Sequence, residues 1–428
     1  MTWLVLGAGR SGIAAARLLA AKGQDVVLAD RGNIPSPIGN KLKNFGIELR
    51  EKDQEDALDE RITSGIVLSP GVNQQHPYIK KAKKLGIPAI SEVDLALSHY
   101  EGKIVGVTGT NGKSTTVSMA NHLLESMGYR VALGGNIGTP PSEIIANANP
   151  HPEIIVLELS SYQLEQSQKI RSNVAAILNI SPDHLARHGT MEQYLREKWK
   201  LALMCPADSH VFIDSKVASL ASQLERPQCH LKIVDADLAI AEVDPNESGQ
   251  LEWHNRLNGY YAATLVSQLI GMPFQRVISH LASFKGLSHR FEKIGTIKGS
   301  VVINDSKATN VDSTLVALSN LRKATILLLG GQGKGESFDA IRKYQSLIHN
   351  LVVFGDEAPK IAQELKEMNP LVYPSLKATM NSLPEIMSVS EYKPDVLFSP
   401  ACASFDEFNN FEERGDFFKK EINPLLDT

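Results

Sequence analysis

The sequence predicts an α/β protein of three consecutive domains with parallel or mixed sheets, and three observations carry that expectation. At 428 residues the chain exceeds what one hydrophobic core usually organises. One unit recurs along it: a short apolar run, a glycine-containing turn, then a helical pattern. The apolar runs, "EIIVLE" and "TILLLG" among them, are continuous rather than alternating, which marks parallel strands covered on both faces.

The first such unit is "TWLVLGAGRSGIAAARLLAAKGQDVVLAD", followed by "GIVLSP" with "GVNQQHPYIKKAKKLGIPAI". A break follows in "AISEVDLALSHYEGK". Next come "KIVGVTGTNGKSTTVSMANHLLESMGYRVALGG" and "EIIVLELSSYQLE". A second break lies in "FKGLSHRFEKIG", ahead of a new strand in "SVVINDS". The units "ATILLLGGQGKG", "NLVVFGD" and "DVLFSPACASFDEF" complete the chain. Domains are therefore expected at residues 1–92, 93–286 and 287–428.

Composition narrows the setting. Hydrophobic residues make up 43% and charged residues 21%, an ordinary globular balance, and the net charge of -4 gives no basic field for nucleic acid. Cys205, Cys229 and Cys402 are far apart and lack CxxC or Cys/His spacing, as expected of reduced thiols in a cytoplasmic protein. "MTWLVLGAGR" lacks the charged-then-apolar order of a signal peptide, and no run approaches the roughly 20 apolar residues of a membrane span.

The sharpest motif is "VGVTGTNGKSTT". An apolar strand runs into Gly109, Thr110, Asn111, Gly112, Lys113 and Ser114, and a helix follows. Glycines let backbone N–H groups turn around phosphate oxygens, Lys113 would meet the β/γ-phosphates, and Ser114 would offer its hydroxyl to Mg²⁺. Val107 stands where the strict P-loop pattern has glycine, so the match is partial. Glu158, at the end of an otherwise apolar strand, is the metal-side carboxylate that such a sheet calls for; the alternative is a first-turn residue of the next helix. "SPDHLARHGTMEQYLREKWK" then places Asp183 and His184 after a strand and Lys198 on a helix, where local sequence alone assigns neither His184 nor Lys198 a role. At the N-terminus, Gly7, Gly9, Gly12 and Asp30 imitate a dinucleotide fingerprint, which by itself suggests NAD(P).

Eight segments, "GTNGKST", "GGNIG", "LELSSYQLE", "SPDHLARH", "HNRLN", "SHRFE", "DSKATN" and "SPACASFDEFNNFEERG", occur in an order that resembles the Mur ligases. The resemblance runs from Gly7 to Gly415. It implies a Rossmann-like first domain, a central P-loop ATPase-type domain and a Rossmann-like third domain. It also implies an ATP-dependent ligase that adds D-glutamate to UDP-N-acetylmuramoyl-L-alanine through an acyl phosphate, in cytoplasmic peptidoglycan precursor synthesis. The cofactor would be Mg²⁺ at two sites, with ATP as co-substrate and no NAD. No nucleic acid, no membrane insertion and a monomeric state are expected.

Residue roles follow from the same resemblance. Gly109, Thr110, Asn111, Gly112, Lys113, Ser114 and Thr115 would hold ATP, with Asn258 near the adenine and Arg290 and Asp305 reaching ATP from the third domain. That requires a lid-like closure, which also keeps water from the acyl phosphate. His254 and Asn255 would shape the turn at "HNRLN". Ser114, Glu158, His184 and a carbamylated Lys198 would hold metal, and Lys113, Glu158, His184 and Lys198 form the catalytic set. Gly9, Arg10 and Ser11 would meet the UDP pyrophosphate and Asp30 and Gly71 the uracil. Asn136 would meet the muramoyl group, with His184 close by. Lys307, Thr309, Lys334, Ser404 and Phe411 would bind D-glutamate, whose two carboxylates need cations and donors at two points. Arg31, in "DRGN", departs from the acid-hydroxyl-basic run of some relatives.

Three alternatives have distinct signatures. The nearest is a sister ligase, either one adding another amino acid to the same precursor or a folylpolyglutamate synthase; the latter would not be expected to begin with "GAGRSG" or to carry "SPACASFDEF". A nucleotide-dependent switch leaves the paired metal candidates and third-domain lysines without a purpose. An NAD-dependent oxidoreductase explains only the first domain.

Overall fold

The structure, a computed structural model, describes residues 2–52, 58–243, 253–388 and 393–427, the side chains of residues 253 and 254 excepted. The first sheet holds β1 (Thr2–Leu6), β2 (Asp25–Ala29), β3 (Glu48–Arg50), β4 (Ile62–Leu68) and β5 (Ala89–Ser91). Its order is β3-β2-β1-β4-β5 and every pairing is parallel. The helix Arg10–Ala21 crosses from β1 to β2 and buries Ala14, Ala15, Ala16, Leu18 and Leu19, small and branched side chains that let it sit close on the sheet.

The central sheet holds β6 (Lys103–Thr108), β7 (Val131–Gly135), β8 (Ile154–Glu158), β9 (Val174–Ile177), β10 (His210–Asp214) and β11 (His230–Val234). The order is β11-β10-β9-β6-β8-β7, again with every pairing parallel. Strands β6, β8 and β9 are buried along their length except at Lys103, which is why they read as unbroken apolar runs. Strands β8 and β9 flank β6, and the winding direction reverses between them. The crevice at their carboxyl ends is thus a topological switch point, where open α/β sheets take their ligands.

The stretch read as a first boundary is packed rather than exposed. The helix Glu92–Leu97 is buried at every position, and Ser91 Oγ caps it by accepting from Asp94 N at 2.9 Å. One apolar cluster runs from Val5 and Leu18 in the first sheet through Leu95 and Leu97 to Ile155 and Trp199 in the second. Glu92 lies inside this region, 1% exposed. Its Oε1 accepts from Ser142 N at 2.7 Å and its Oε2 has no hydrogen-bond partner. Burial pushes the carboxyl up to about 7, against the Ser142 hydrogen bonds.

These two sheets form one compact unit that reaches Phe284, and a second unit starts at Lys285. The second unit's sheet holds β12 (Glu292–Ile297), β13 (Ser300–Asn304), β14 (Thr325–Gly330), β15 (Ile348–Phe354), β16 (Leu371–Tyr373) and β17 (Asp395–Ala401), in the order β12-β13-β17-β14-β15-β16. It is mixed, because β12 pairs antiparallel with β13 through the Lys298–Gly299 turn, where φ is 49° and 85°. Two positive φ angles suit a tight hairpin. The sequence reading started this sheet at "SVVINDS" and passed over β12, whose pattern is interrupted by Glu292, Lys293 and a register shift at Gly295. The three cysteines are buried and free. Among the described residues no helix is long and apolar enough to cross a membrane.

Candidate active site

The turn from β6 into the helix Lys113–Ser126 forms the phosphate loop. Gly112 has φ 83°, and a Cβ there would stand 2.5 Å from Asn258 Oδ1, so both backbone and space demand glycine. The loop is pinned by Asn179, just past β9. Thr110 N donates to Asn179 O (2.9 Å), Asn111 N to Asn179 Oδ1 (2.8 Å), and Asn179 Nδ2 returns a bond to Asn111 O (2.9 Å). Sequence reasoning missed Asn179. The available signal was an amide directly after the strand in "ILNIS".

Two lysines converge on one carbonyl oxygen. Lys113 Nζ donates to Gly109 O at 2.8 Å and to Thr110 O at 2.6 Å, and Lys198 Nζ donates to Gly109 O at 2.7 Å. Lys198 sits on the helix Met191–Met204, capped by Thr190 Oγ1, and is 1% exposed with its ammonium over the Tyr194 ring at 4.8 Å. Burial drives its pKa well below the ordinary lysine range, the charge of Lys113 adds to this, and Asp183 and Glu158 oppose it. Burial and the Lys113 charge both shift the balance toward the neutral amine, which is the nucleophilic form of lysine. Tyr194 OH lies 3.2 Å from Thr110 Oγ1, which ties that helix to the loop.

Glu158 ends β8 and is 1% exposed. Ser114 Oγ donates to its Oε2 at 2.5 Å and Asn136 Nδ2 to its Oε1 at 2.7 Å, so the structure brings Ser114, Asn136 and Glu158 together. Thr115 is buried on the same helix. These hard oxygen donors fit Mg²⁺, which takes one or two carboxylates and fills its shell with water and phosphate oxygens. Lys198 fits a metal only once its nitrogen carries an anionic group, since as it stands it donates to Gly109 O. Among the described residues no three His, Cys, Asp or Glu side chains form a metal cage.

His184 takes φ 55° ahead of the short helix Leu185–His188. Its Nδ1 is 3.2 Å from Tyr162 OH and its Nε2 is 3.4 Å from Asp183 Oδ2. Asn255 and Asn258 lie on the helix Trp253–Ile270 instead of a turn, with Asn258 Nδ2 donating to Asn255 Oδ1 at 3.2 Å. The His254 side chain is outside the described residues.

In the first sheet, Gly9 precedes the helix that Arg10 and Ser11 begin, so N–H groups with no intrahelical acceptor face that end. Asp30 Oδ2 accepts from Ala8 N at 2.6 Å and Oδ1 from Gly32 N at 2.7 Å, fixing the turn between β1 and this helix. Arg10 Nη2 donates to Gly138 O (2.8 Å) in the loop that carries Asn136. Gly71 belongs to a loop gripped from the central sheet. Gln166 Nε2 donates to Ser69 O (3.1 Å) and Val72 O (2.8 Å), and Arg187 Nη2 donates to Val72 O (3.0 Å). Arg187 also pairs with Glu165 at 2.8 Å. Neither Gln166 nor Arg187 was singled out from sequence.

In the second unit, Asp305 Oδ2 accepts from Ser399 Oγ at 2.8 Å and Oδ1 from Phe291 N at 3.1 Å. Burial pushes its carboxyl up to about 7, with those hydrogen bonds and Arg290 opposing. Lys307 Nζ lies 3.9 Å from the Phe411 ring centroid. Thr309 is partly exposed, Lys334 exposed and Ser404 buried. These residues follow the carboxyl ends of β13, β14 and β17, three neighbours in the sheet.

Family models cover most of the chain: a MurD-like N-terminal domain of Mur ligases at residues 1–91, the Mur ligase middle domain at 107–257, and the Mur ligase glutamate ligase domain at 289–392. The chain belongs to the Mur ligase family. Two relatives are each named UDP-N-acetylmuramoylalanine--D-glutamate ligase. That of Elusimicrobium minutum (strain Pei191) is 36% identical over 98% of this chain and 97% of its own. That of Koribacter versatilis (strain Ellin345) is 34% identical over 99% and 97%. Among solved Mur ligases, the UDP-N-acetylmuramate-alanine ligase MurC of Thermotoga maritima shares the fold, with a TM-score of 0.57 and 18% identity over 99% of both chains.

Proposed function

We propose that this Mur ligase joins D-glutamate to UDP-N-acetylmuramoyl-L-alanine with ATP, releasing ADP and phosphate, in cytoplasmic peptidoglycan precursor synthesis. The observation that carries the reading is the convergence of Lys113, Lys198, Ser114 and Glu158 on a phosphate loop at the switch point of a parallel sheet. The domain limits at 92 and 286 and a monomeric state belong to the same reading.

A carboxylate is a poor acyl donor until one oxygen becomes a good leaving group, and transfer of the γ-phosphoryl group of ATP provides one. In this reading the N–H groups of Gly109–Gly112 and the Lys113 ammonium hold the phosphates in line with the muramoyl-alanine carboxylate, with Thr115 and Asn258 on the nucleotide. Positioning and charge neutralisation supply most of the acceleration. Ser114 and Glu158 would hold one Mg²⁺, and His184 with a carbamylated Lys198 the other. Bound there, Mg²⁺ would neutralise phosphate charge. A buried neutral amine at Lys198 can capture CO₂, losing a proton to become a carbamate anion. The amine of D-glutamate then attacks the acyl carbon, and phosphate leaves from the tetrahedral intermediate.

The UDP group is assigned to Gly9, Arg10, Ser11, Asp30 and Gly71, and the muramoyl group to Asn136 and His184. The exposed N–H groups at the start of the helix Arg10–Ala21 would suit a pyrophosphate, which supports this. D-glutamate is assigned to Lys307, Thr309, Lys334, Ser404 and Phe411, and ATP contacts to Arg290 and Asp305. The test is phosphate release with ATP, Mg²⁺ and UDP-N-acetylmuramoyl-L-alanine across a panel of amino acids. Release that needs both the nucleotide sugar and D-glutamate is expected. Release with a different amino acid would discard the pocket assignment, and no release despite ATP binding would favour a nucleotide switch.

A further inference from the structure

Arg414, on the helix Phe411–Ile422, is the largest of the fully buried side chains and is 0% exposed. In sequence it sits in "NFEERGDFFKK", where an arginine among acids looks like part of a solvated face. The structure instead buries it on neutral oxygens, with the carboxylates of Asp406 and Glu407 acting on it only through space. Its guanidinium donates from Nε to Ser306 Oγ (3.1 Å), from Nη2 to Ser306 O (2.8 Å) and from Nη1 to Ala403 O (3.1 Å), and among the described residues it makes no ion pair. A buried cation whose direct partners are all neutral is expensive to keep, and the surroundings rarely hold one unless its field or its donors are used.

Its partners show where those donors act. Ser306 directly precedes Lys307, and its hydroxyl also donates to Phe411 O at 2.8 Å. Ala403 directly precedes Ser404, and it exchanges backbone hydrogen bonds with Gln332, two residues before Lys334. Gly331 closes the set: at φ 126°, a Cβ there would stand 2.3 Å from Ala403 O and 2.9 Å from Arg414 Nη1. The segments after β13, β14 and β17, together with the start of the helix at Phe411, are thus gathered on one guanidinium. All five residues assigned to D-glutamate, Lys307, Thr309, Lys334, Ser404 and Phe411, lie on those segments. Arg's planar fork can bond several carbonyls at fixed angles, which a lysine ammonium does not reproduce.

We propose that Arg414 is a positioning residue for the amino-acid acceptor: it fixes the relative placement of the three acceptor-carrying segments, and its buried charge beneath them favours a dianionic acceptor. The proposal rests on the reading that these segments take D-glutamate. The phosphate loop lies on a different sheet, so ATP and nucleotide-sugar affinities need not follow Arg414.

The experiment is steady-state kinetics of Arg414→Lys and Arg414→Ala beside the unmodified chain, varying D-glutamate, ATP and UDP-N-acetylmuramoyl-L-alanine in turn. Arg414→Lys should raise the KM for D-glutamate at least tenfold and leave the other two within about twofold. In Arg414→Ala, added guanidinium at about 20 mM should recover part of the D-glutamate affinity. Should Arg414→Ala fail to fold, Ser306→Ala gives the same reading on a smaller scale, with an expected rise in KM for D-glutamate of about threefold. An unchanged D-glutamate KM in a folded Arg414→Lys protein overturns the inference, as does an equal rise in all three constants. Turnover of D-glutamate by the unmodified chain keeps those outcomes separate from the ligase reading. If the unmodified chain turns over no D-glutamate, both fall.

Discussion

Lys198, on a helix beside the central sheet, and Arg414 in the second unit are both basic side chains at 1% exposure or less, bonded to carbonyl and hydroxyl oxygens, and among the described residues neither forms an ion pair. The same burial has opposite chemical results. A lysine amine escapes the desolvation penalty by shedding its proton, and Lys198 is pushed well down in pKa. A guanidinium starts too high for that: burial lowers Arg414 only to about 10, so it stays charged at neutral pH. In the proposed roles, one site holds an amine that burial shifts toward its neutral, nucleophilic form, and the other a fixed charge that organises its surroundings. Burial alone does not say which; the intrinsic pKa of the side chain does.

The strongest way to break this contrast is at Lys198. Lys198→Ala should abolish turnover, a loss of at least about a thousandfold on the scale of removing a catalytic group. Acetate should partly restore it, by supplying the carboxylate that a carbamate would provide. Lys198→Arg keeps a buried cation but cannot become neutral, so it should be equally inactive, and measurable turnover in it would contradict the role of the neutral amine.

A buried group of the opposite sign extends the comparison. Glu92 is an acid whose carboxyl burial pushes up to about 7 from 4.5, so it holds its proton well above the ordinary range. A raised acid pKa means the folded state holds its proton while the unfolded state releases it. Stability is therefore unaffected below about pH 4.5, falls between there and about pH 7, and stays reduced above. Glu92→Gln removes the ionisation, so at pH 8 it should stabilise its unit by about 3 kcal/mol, with no gain at pH 4. Denaturant titrations of both proteins at the two pH values would check this, and an equal difference at both would refute it.

The smallest effect is expected at Tyr194. Tyr194→Phe keeps the ring beneath Lys198 but removes the hydroxyl that meets Thr110. The loss of a single neutral hydrogen bond, about 1 kcal/mol, should lower kcat/KM about fivefold. A loss as large as that of Lys198→Ala would mean that the hydroxyl, not the buried amine, organises the site.

Sequence patterns revealed the site unevenly. The phosphate loop was legible because its chemistry forces glycine, lysine and serine into a fixed local order. Glu158 was legible because it is an acid that closes a wholly apolar strand beside the phosphate loop's own strand. Lys198 and Arg414 were not, since a lysine or arginine on a helix carries no local mark of burial; their surroundings come from strands far away in the chain. Strand β12 was missed for a different reason. An edge strand beside solvent keeps Glu292 and Lys293, and the irregularity at Gly295 erases the period. The buried helix Glu92–Leu97 reads as a charged connector because Glu92 and Asp94 are buried acids. Asp94 spends its oxygens on Gln168 N and Lys169 N, at 2.8 and 3.0 Å.

The grip of Gln166 and Arg187 on the loop Ser69–Val72 bears on how freely the parts of this enzyme can be exchanged. Residues 1–91 match a domain model of their own and would look like a replaceable cassette. Yet the Val72 carbonyl receives donors from two different segments of the neighbouring sheet, and Gln166 offers its amide to more than one carbonyl of that loop. A graft that brought its own nucleotide-binding module without carbonyls at those places would strand buried donors at the seam, and each would cost about 1–3 kcal/mol. Successful chimaeras would therefore have to carry the two sides of this seam together, as lock and key from one parent.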